Sequence, residues 1–173
     1  MILKTTDLNN PHILLHSGDT VLLSGTFYTA RDAAHKALLE DLAKGQSLPF
    51  DPQLGPIYYV GPTPAKEGLA IGSCGPTSSY RMDKMAISLM DYGIIHCLGK
   101  GPRSLTYQEA LKLHHGYYFT VVGGIAAKLA LCVKSSKIIA YPELGTEAIR
   151  ELIVEDFPAI VAYDSEGHDI FNH

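Results

Sequence analysis

The sequence predicts an α/β fold with a mixed sheet. Three observations carry this. Short apolar stretches alternate with helical patterns through the middle of the chain. Clusters of glycine and proline separate them. The final third turns to extended segments without long helices between them. At 173 residues the chain has the length of one domain, and residues 1–173 are expected to form a single unit.

The elements follow in order. Residues 20–23 are expected as a strand leaving the turn Ser17-Gly18-Asp19 and ending at Ser24-Gly25. Thr29 is placed to cap a helix over 30–44, with Ala33, Ala34, Ala37, Leu38 and Leu42 on its apolar face and Gly45 as its stop. The proline-rich stretch 46–56 is a loop, and 57–60 a short strand closed by Gly61-Pro62-Thr63-Pro64. A further strand is expected at 69–71, followed by the loop 72–77. A helix over 78–92 carries Met82, Met85, Ala86, Leu89 and Met90 on one face. Residues 94–98 form a strand broken by Gly99-Lys100-Gly101-Pro102, and 106–115 a short helix. Residues 117–122 form a strand, and Gly123-Gly124 opens an alanine-rich helix to about Cys132. The tail has extended segments at 138–141, 148–154 and 159–163, then a hairpin turn at 164–167.

Composition narrows the function. Fourteen basic against eighteen acidic side chains give a net charge of −4, which argues against a nucleic-acid partner, since that needs a basic field. Hydrophobic residues at 46% and charged ones at 18% mark a globular chain. The apolar runs are too short for a membrane span or a signal peptide, so no membrane partner is expected. Three cysteines without a CxxC pair suit a reducing compartment, and the cytoplasm is the expected location.

The chemistry-bearing residues sit beside glycine at strand ends, where open α/β sheets bind ligands. Arg31 and Arg81 each fall at the start of an expected helix, after a loop rich in Gly, Ser and Thr. A helix N-terminus repels a cation and attracts an anion, so an arginine there makes sense with an anion between it and the free N–H groups. The competing reading pairs each arginine with a neighbouring acid, Asp32 or Asp83. With Lys100 between glycines, converging cations suit a small dicarboxylate. Thr77 is either an ordinary N-cap or a hydroxyl aimed at substrate. His35, four residues after Arg31, either supports the site or lies on the surface. The cysteines are too far apart for an iron–sulfur ligand set, and the histidines lack zinc spacing, so no metal ligand is expected in this chain.

These same stretches resemble a known family. Ser24-Gly25-Thr26 and Tyr28-Thr29-Ala30-Arg31-Asp32-Ala33-Ala34-His35 look like its first signature. Gly61-Pro62-Thr63-Pro64-Ala65, Gly72-Ser73, Gly75-Pro76-Thr77 and Arg81-Met82-Asp83 look like its second. Gly99-Lys100-Gly101 and Tyr118-Phe119-Thr120-Val121-Val122-Gly123-Gly124 complete the set. They belong to the beta region of the class I iron–sulfur fumarases and L-tartrate dehydratases, and the likeness spans roughly residues 20–171. The resemblance implies a swivelling β/β/α domain. It also implies a hydro-lyase that reversibly hydrates a dicarboxylate, fumarate to (S)-malate, with tartrate to oxaloacetate as the alternative.

The implied [4Fe-4S] cluster is held by an alpha subunit, so this chain is expected in a hetero-oligomer with that partner. Carried over by motif, Arg31, Arg81 and Lys100 bind the substrate carboxylates, and Thr77 moves the proton. Asp32, His35 and Asp83 support them. Ser78 stands where the family often has threonine, and Pro102 where glycine is common. Two readings compete with the enzyme: a non-catalytic anion-binding assembly domain, and a Schiff-base enzyme using Lys100, which lacks a neighbour to lower its pKa.

Overall fold

A computed structural model describes residues 1–121 and 125–171. The fold is α/β, built on a seven-stranded mixed sheet. Its strands are β1 (Ile2–Lys4), β2 (Thr20–Thr29), β3 (Ile57–Tyr58), β4 (Cys97–Gly99), β5 (Tyr118–Thr120), β6 (Val133–Ala140) and β7 (Ile149–Tyr163). Its helices are α1 (Asp32–Ala43), α2 (Asp83–Met90), α3 (Leu105–Leu113) and α4 (Ala126–Ala130). Among the described residues, no helix is long and apolar enough to cross a membrane.

Strands β1 to β5 run parallel, and β7 runs antiparallel to β2, β5 and β6. Because β7 pairs with both β5 and β2, the strands β2-β3-β4-β5-β7 close into a ring. Side chains alternate across a strand, so the ring divides the core. Phe27, Tyr58, Leu98, Phe119, Leu152, Phe157 and Val161 pack together on one face. Tyr28, Ile57, Tyr59, Cys97 and Tyr118 point to the other, where Ala34 and Leu38 of α1, Leu89 and Met90 of α2 and Leu111 of α3 cover them.

Several expectations are corrected. Strand β2 does not stop at Ser24-Gly25. It continues to Thr29, absorbing a register shift between Leu23 and Gly25. Thr29 is therefore not a helix cap: its hydroxyl donates to the Ala148 carbonyl (3.2 Å) and accepts the Arg150 N–H (3.0 Å), and α1 starts after Arg31. The strand expected at 69–71 does not form. Gly72 N–H donates to the Thr63 carbonyl and Thr63 N–H to the Ser73 carbonyl, so this stretch bonds to the proline-flanked loop and not to the sheet.

The helix expected over 78–92 begins as a 3-10 turn, Tyr80–Met82, before α2. The segments expected at 148–154 and 159–163 are one strand, β7. Strand β6 starts at Val133, not at residue 138. Ser104 caps α3, its hydroxyl accepting the Tyr107 N–H at 3.2 Å, so that helix begins one residue before Thr106. The expected Gly123-Gly124 helix start and Val122 lie outside the described residues.

Candidate functional site

The parallel strands β2, β3 and β4 end side by side. Each hands its chain to a residue singled out from the sequence: Arg31 after β2, the Gly61 to Thr77 loop after β3, and Lys100 after β4. The 72–77 loop is tied to this end through its backbone. Thr77 N–H donates to the Tyr59 carbonyl at 2.8 Å, and the Tyr58 hydroxyl donates to the Cys74 carbonyl. Ser78 lies alongside Lys100 in a parallel bridge. Ser79 N–H donates to the Lys100 carbonyl (3.0 Å), and Lys100 N–H returns to the Ser79 hydroxyl (2.9 Å). Gly99 is required there: a Cβ on it would stand 1.9 Å from Ser79 Oγ.

Arg81, Asp32 and Thr77 come together. The Arg81 guanidinium donates to both oxygens of Asp32 at 3.2 Å, and its Nη2 also donates to Thr77 Oγ1 at 3.2 Å. The Arg81 bond holds the Asp32 carboxyl below its ordinary range, and Asp32 in turn raises Arg81. Both side chains stay open to water, 40% and 41% exposed, so the pair stabilises the fold by only about 0–1 kcal/mol. Arg31 sits at the N-cap position of α1. Its Nε is buried and has no hydrogen-bond partner among the described residues. Gly61 gives it room, since a Cβ there would lie 2.8 Å from Arg31 Nη1. Lys100 is exposed.

His35 is not a surface residue. It is 1% exposed, packs edge-on to Tyr59, and its Nδ1–H donates to the Arg31 carbonyl at 2.7 Å. Burial pushes its pKa down to about 4, so it is a neutral support beneath Arg31. Asp83 does not pair with Arg81. It is buried against Arg103, and its Oδ2 accepts the Ser104 N–H at 2.6 Å. Sequence reasoning passed over Arg103 and Glu147. Glu147 Oε1 accepts the Ala33 N–H at 3.2 Å, capping the α1 N-terminus from the far side of the chain. An acid two residues before a strand gives no local signal of that.

Beside Arg81 opens a cavity of about 600 Å³ lined by Tyr80, Lys84, Ile87, Pro102 and Thr106. A larger cleft of about 770 Å³, with His96, Lys112, His115 and Tyr117 in its wall, lies by the starts of β4 and β5. Arg31, Thr77 and Arg81 stand at the strand C-terminal ends, where α/β sheets place ligands, so that end and not the larger cleft is the candidate site.

The cysteines do not fit an iron–sulfur cluster. Cys74 and Cys97 belong to opposite faces of the ring, and Cys97 Sγ lies 2.8 Å from the Tyr107 hydroxyl. Burial pushes the Cys74 thiol up to about 12, and it also raises the partly buried Cys132. Among the described residues no three His, Cys, Asp or Glu side chains gather as a metal site.

A sequence profile described as Fumarase C-terminus matches residues 3–173. The chain belongs to the fumarase C-terminus family. Within that family it is 41% identical over 157 residues to "Fumarate hydratase 2" of Leishmania major, covering 90% of this chain and 28% of that protein. It is 44% identical over 151 residues to "Fumarate hydratase class I, aerobic" of Escherichia coli K12, covering 86% and 28%. It is 39% identical over 166 residues to "Putative L(+)-tartrate dehydratase subunit beta" of Methanocaldococcus jannaschii, covering 91% of this chain and 84% of that one. This fumarase C-terminus chain thus spans under a third of the fumarate hydratases it matches, and most of the subunit.

Proposed function

We propose that this chain is the beta subunit of a hydro-lyase that reversibly adds water to a small dicarboxylate, fumarate to (S)-malate. Its partner is an alpha subunit carrying a [4Fe-4S] cluster. The names of its relatives support the reaction class, and the word "subunit" in one of them supports the partner. The observation that carries the reading is the meeting of Arg81 with Thr77 and Asp32, next in the chain to Arg31, whose buried Nε lacks an acceptor among the described residues.

Arg31 and Arg81 each offer planar donors matched to a carboxylate. Besides its bond to Thr77, Arg81 is held by an exposed acid, so an incoming carboxylate displaces Asp32 at little cost. Lys100 adds a cation to the same strand ends. Thr77 moves the proton at the carbon beside a carboxylate: the Arg81 guanidinium on its oxygen favours the deprotonated hydroxyl, lowering a pKa otherwise far too high for a base.

The test is anaerobic reconstitution with the alpha subunit, following fumarate and malate, with tartrate as the comparison. Thr77→Ala is expected to lower turnover about 10²–10⁴-fold, the range for a lost acid–base group. Arg81→Ala is expected to lower it as well, with weakened dicarboxylate binding. Turnover on tartrate alone moves the substrate to that diacid. A cluster-loaded complex in which both variants match the wild type overturns the reading.

A further inference from the structure

We propose that Arg103, which touches none of the anion-binding set, is the positioning residue that fixes Thr77, Arg81 and Lys100 relative to one another. Its side chain is fully buried, a rare place for a cation. It lies over the ring of Tyr107, 3.5 Å from the centroid, with the rings of Tyr118 and Tyr59 at 4.8 and 5.1 Å. Each edge of the guanidinium has an assigned partner: Nε donates to Asp83, Nη2 to the Tyr59 hydroxyl at 3.1 Å, and Nη1 to Cys97 Sγ at 3.5 Å.

Those partners lead to the site by three separate routes. Tyr59 carries the carbonyl that accepts the Thr77 N–H. Asp83 opens α2 directly after the 3-10 turn that holds Arg81. Tyr118, stacked on the guanidinium, has its hydroxyl 2.8 Å from Ser79 Oγ and 2.7 Å from the Gly101 carbonyl, on either side of Lys100. The Arg103 backbone closes the loop, its N–H donating to the Tyr163 hydroxyl at 2.9 Å.

An apolar side chain would fill this space without desolvating a charge. It would not set three elements at fixed directions from one point, which a rigid planar fork does. Recognition of two carboxylates at a fixed separation requires that spacing. This functional consequence rests on the hydro-lyase reading, but the positioning itself does not.

The test is amide hydrogen exchange on the whole chain, comparing Arg103→Met and Arg103→Lys with wild type. Exchange at Thr77, Ser79 and Lys100 is expected to rise about tenfold or more in both variants, while amides of the β2–β7 ladder stay within about twofold. Lysine keeps the charge without the fork and is expected to fail as a rescue. Uniform acceleration across the chain, or no change at the three amides, overturns the proposal.

If Arg103→Met does not fold, Tyr118→Phe decides. It is expected to loosen Ser79 and Lys100 and leave Thr77 protected; loosening of all three or of none overturns the three-route arrangement. In the reconstituted enzyme, assayed at a temperature where the variant stays folded, Arg103→Lys is expected to lower kcat/KM about a hundredfold, the scale of a misplacement near 1 Å. If wild type turns over no diacid, the hydro-lyase reading fails, and the exchange data still decide the positioning.

Discussion

Arg81 and Arg103 show how differently one residue type is used a short distance apart. Arg81 is 40% exposed and bonded to an equally open acid, so its present partner is replaceable. Arg103 is buried, and each nitrogen of its guanidinium donates to a partner. At Gly99 the backbone passes within contact of Ser79 and of the Tyr59 ring, whose hydroxyl accepts from Arg103. Gly99→Ala is therefore expected to destabilise the chain by about 1–3 kcal/mol, the cost of forcing atoms into a packed site. A urea midpoint unchanged from wild type would contradict that. Arg81 and Thr77 stood out by their place beside glycine at a helix start, but the sequence pairs each arginine with a neighbouring acid, and the bond from Arg81 across the chain to Asp32 was not legible. Arg103 was not legible. After Gly-Pro a lone arginine looks like any surface cation, and the aromatic cage around it comes from Tyr59, Tyr107 and Tyr118, residues distant from one another in sequence.

At the scale of elements, the helices of the middle were legible from their apolar spacing, and the long strands were not. Strand β7 resembles two pieces because Glu155-Asp156-Phe157-Pro158 has the composition of a turn. The structure treats it as an irregularity within one strand. Asp156 takes φ 50°, its N–H donates to Ser24 Oγ at 2.9 Å, and Glu155 N–H donates to the Cys132 carbonyl at 2.8 Å. Only the pairing with β2 and β6 keeps that segment extended, and pairing across the chain is invisible locally. Helix α1 depends on remote structure in the same way. It has no side-chain cap of its own, and Glu147 supplies the acceptor for its Ala33 N–H. Glu147→Ala is expected to cost about 0.5–2 kcal/mol, the range for a lost N-cap. Glu147→Gln keeps an acceptor oxygen and is expected to lose less. Equal losses in chemical denaturation would mean that charge at the helix end, not the hydrogen bond, carries the effect.

For the whole molecule, close packing leaves little room for charge, and two histidines are buried in it: His35 on α1, packed against Tyr59, and His96 just before β4. His35 and His96 are 1% and 7% exposed, and burial pushes both pKa values down from 6.5 to about 4. Burial keeps both neutral, and at His35 the bond to the Arg31 carbonyl opposes it. The His35 Nδ1–H is given to the Arg31 carbonyl, while His96 Nδ1 accepts the Tyr117 N–H at 3.1 Å and its Nε2 faces Asn9 Oδ1 at 3.2 Å. Below pH 6.5 the unfolded chain takes up protons at both positions and the native chain does not, so stability falls as pH falls from 6.5 to about 4. Each histidine contributes a slope of up to about 1.4 kcal/mol per pH unit in that window. The lowered acids Asp32 and Asp164 act in a separate window, their stabilisation being lost only as pH drops below the ordinary carboxylate value of 3.8 toward their lower native ones. Urea midpoints between pH 7.5 and pH 5 therefore isolate the histidines. His96→Gln is expected to lower the starting stability and to remove about half the slope. A wild-type stability flat down to pH 5 would mean that both imidazoles take up a proton in the native chain as readily as in the unfolded one.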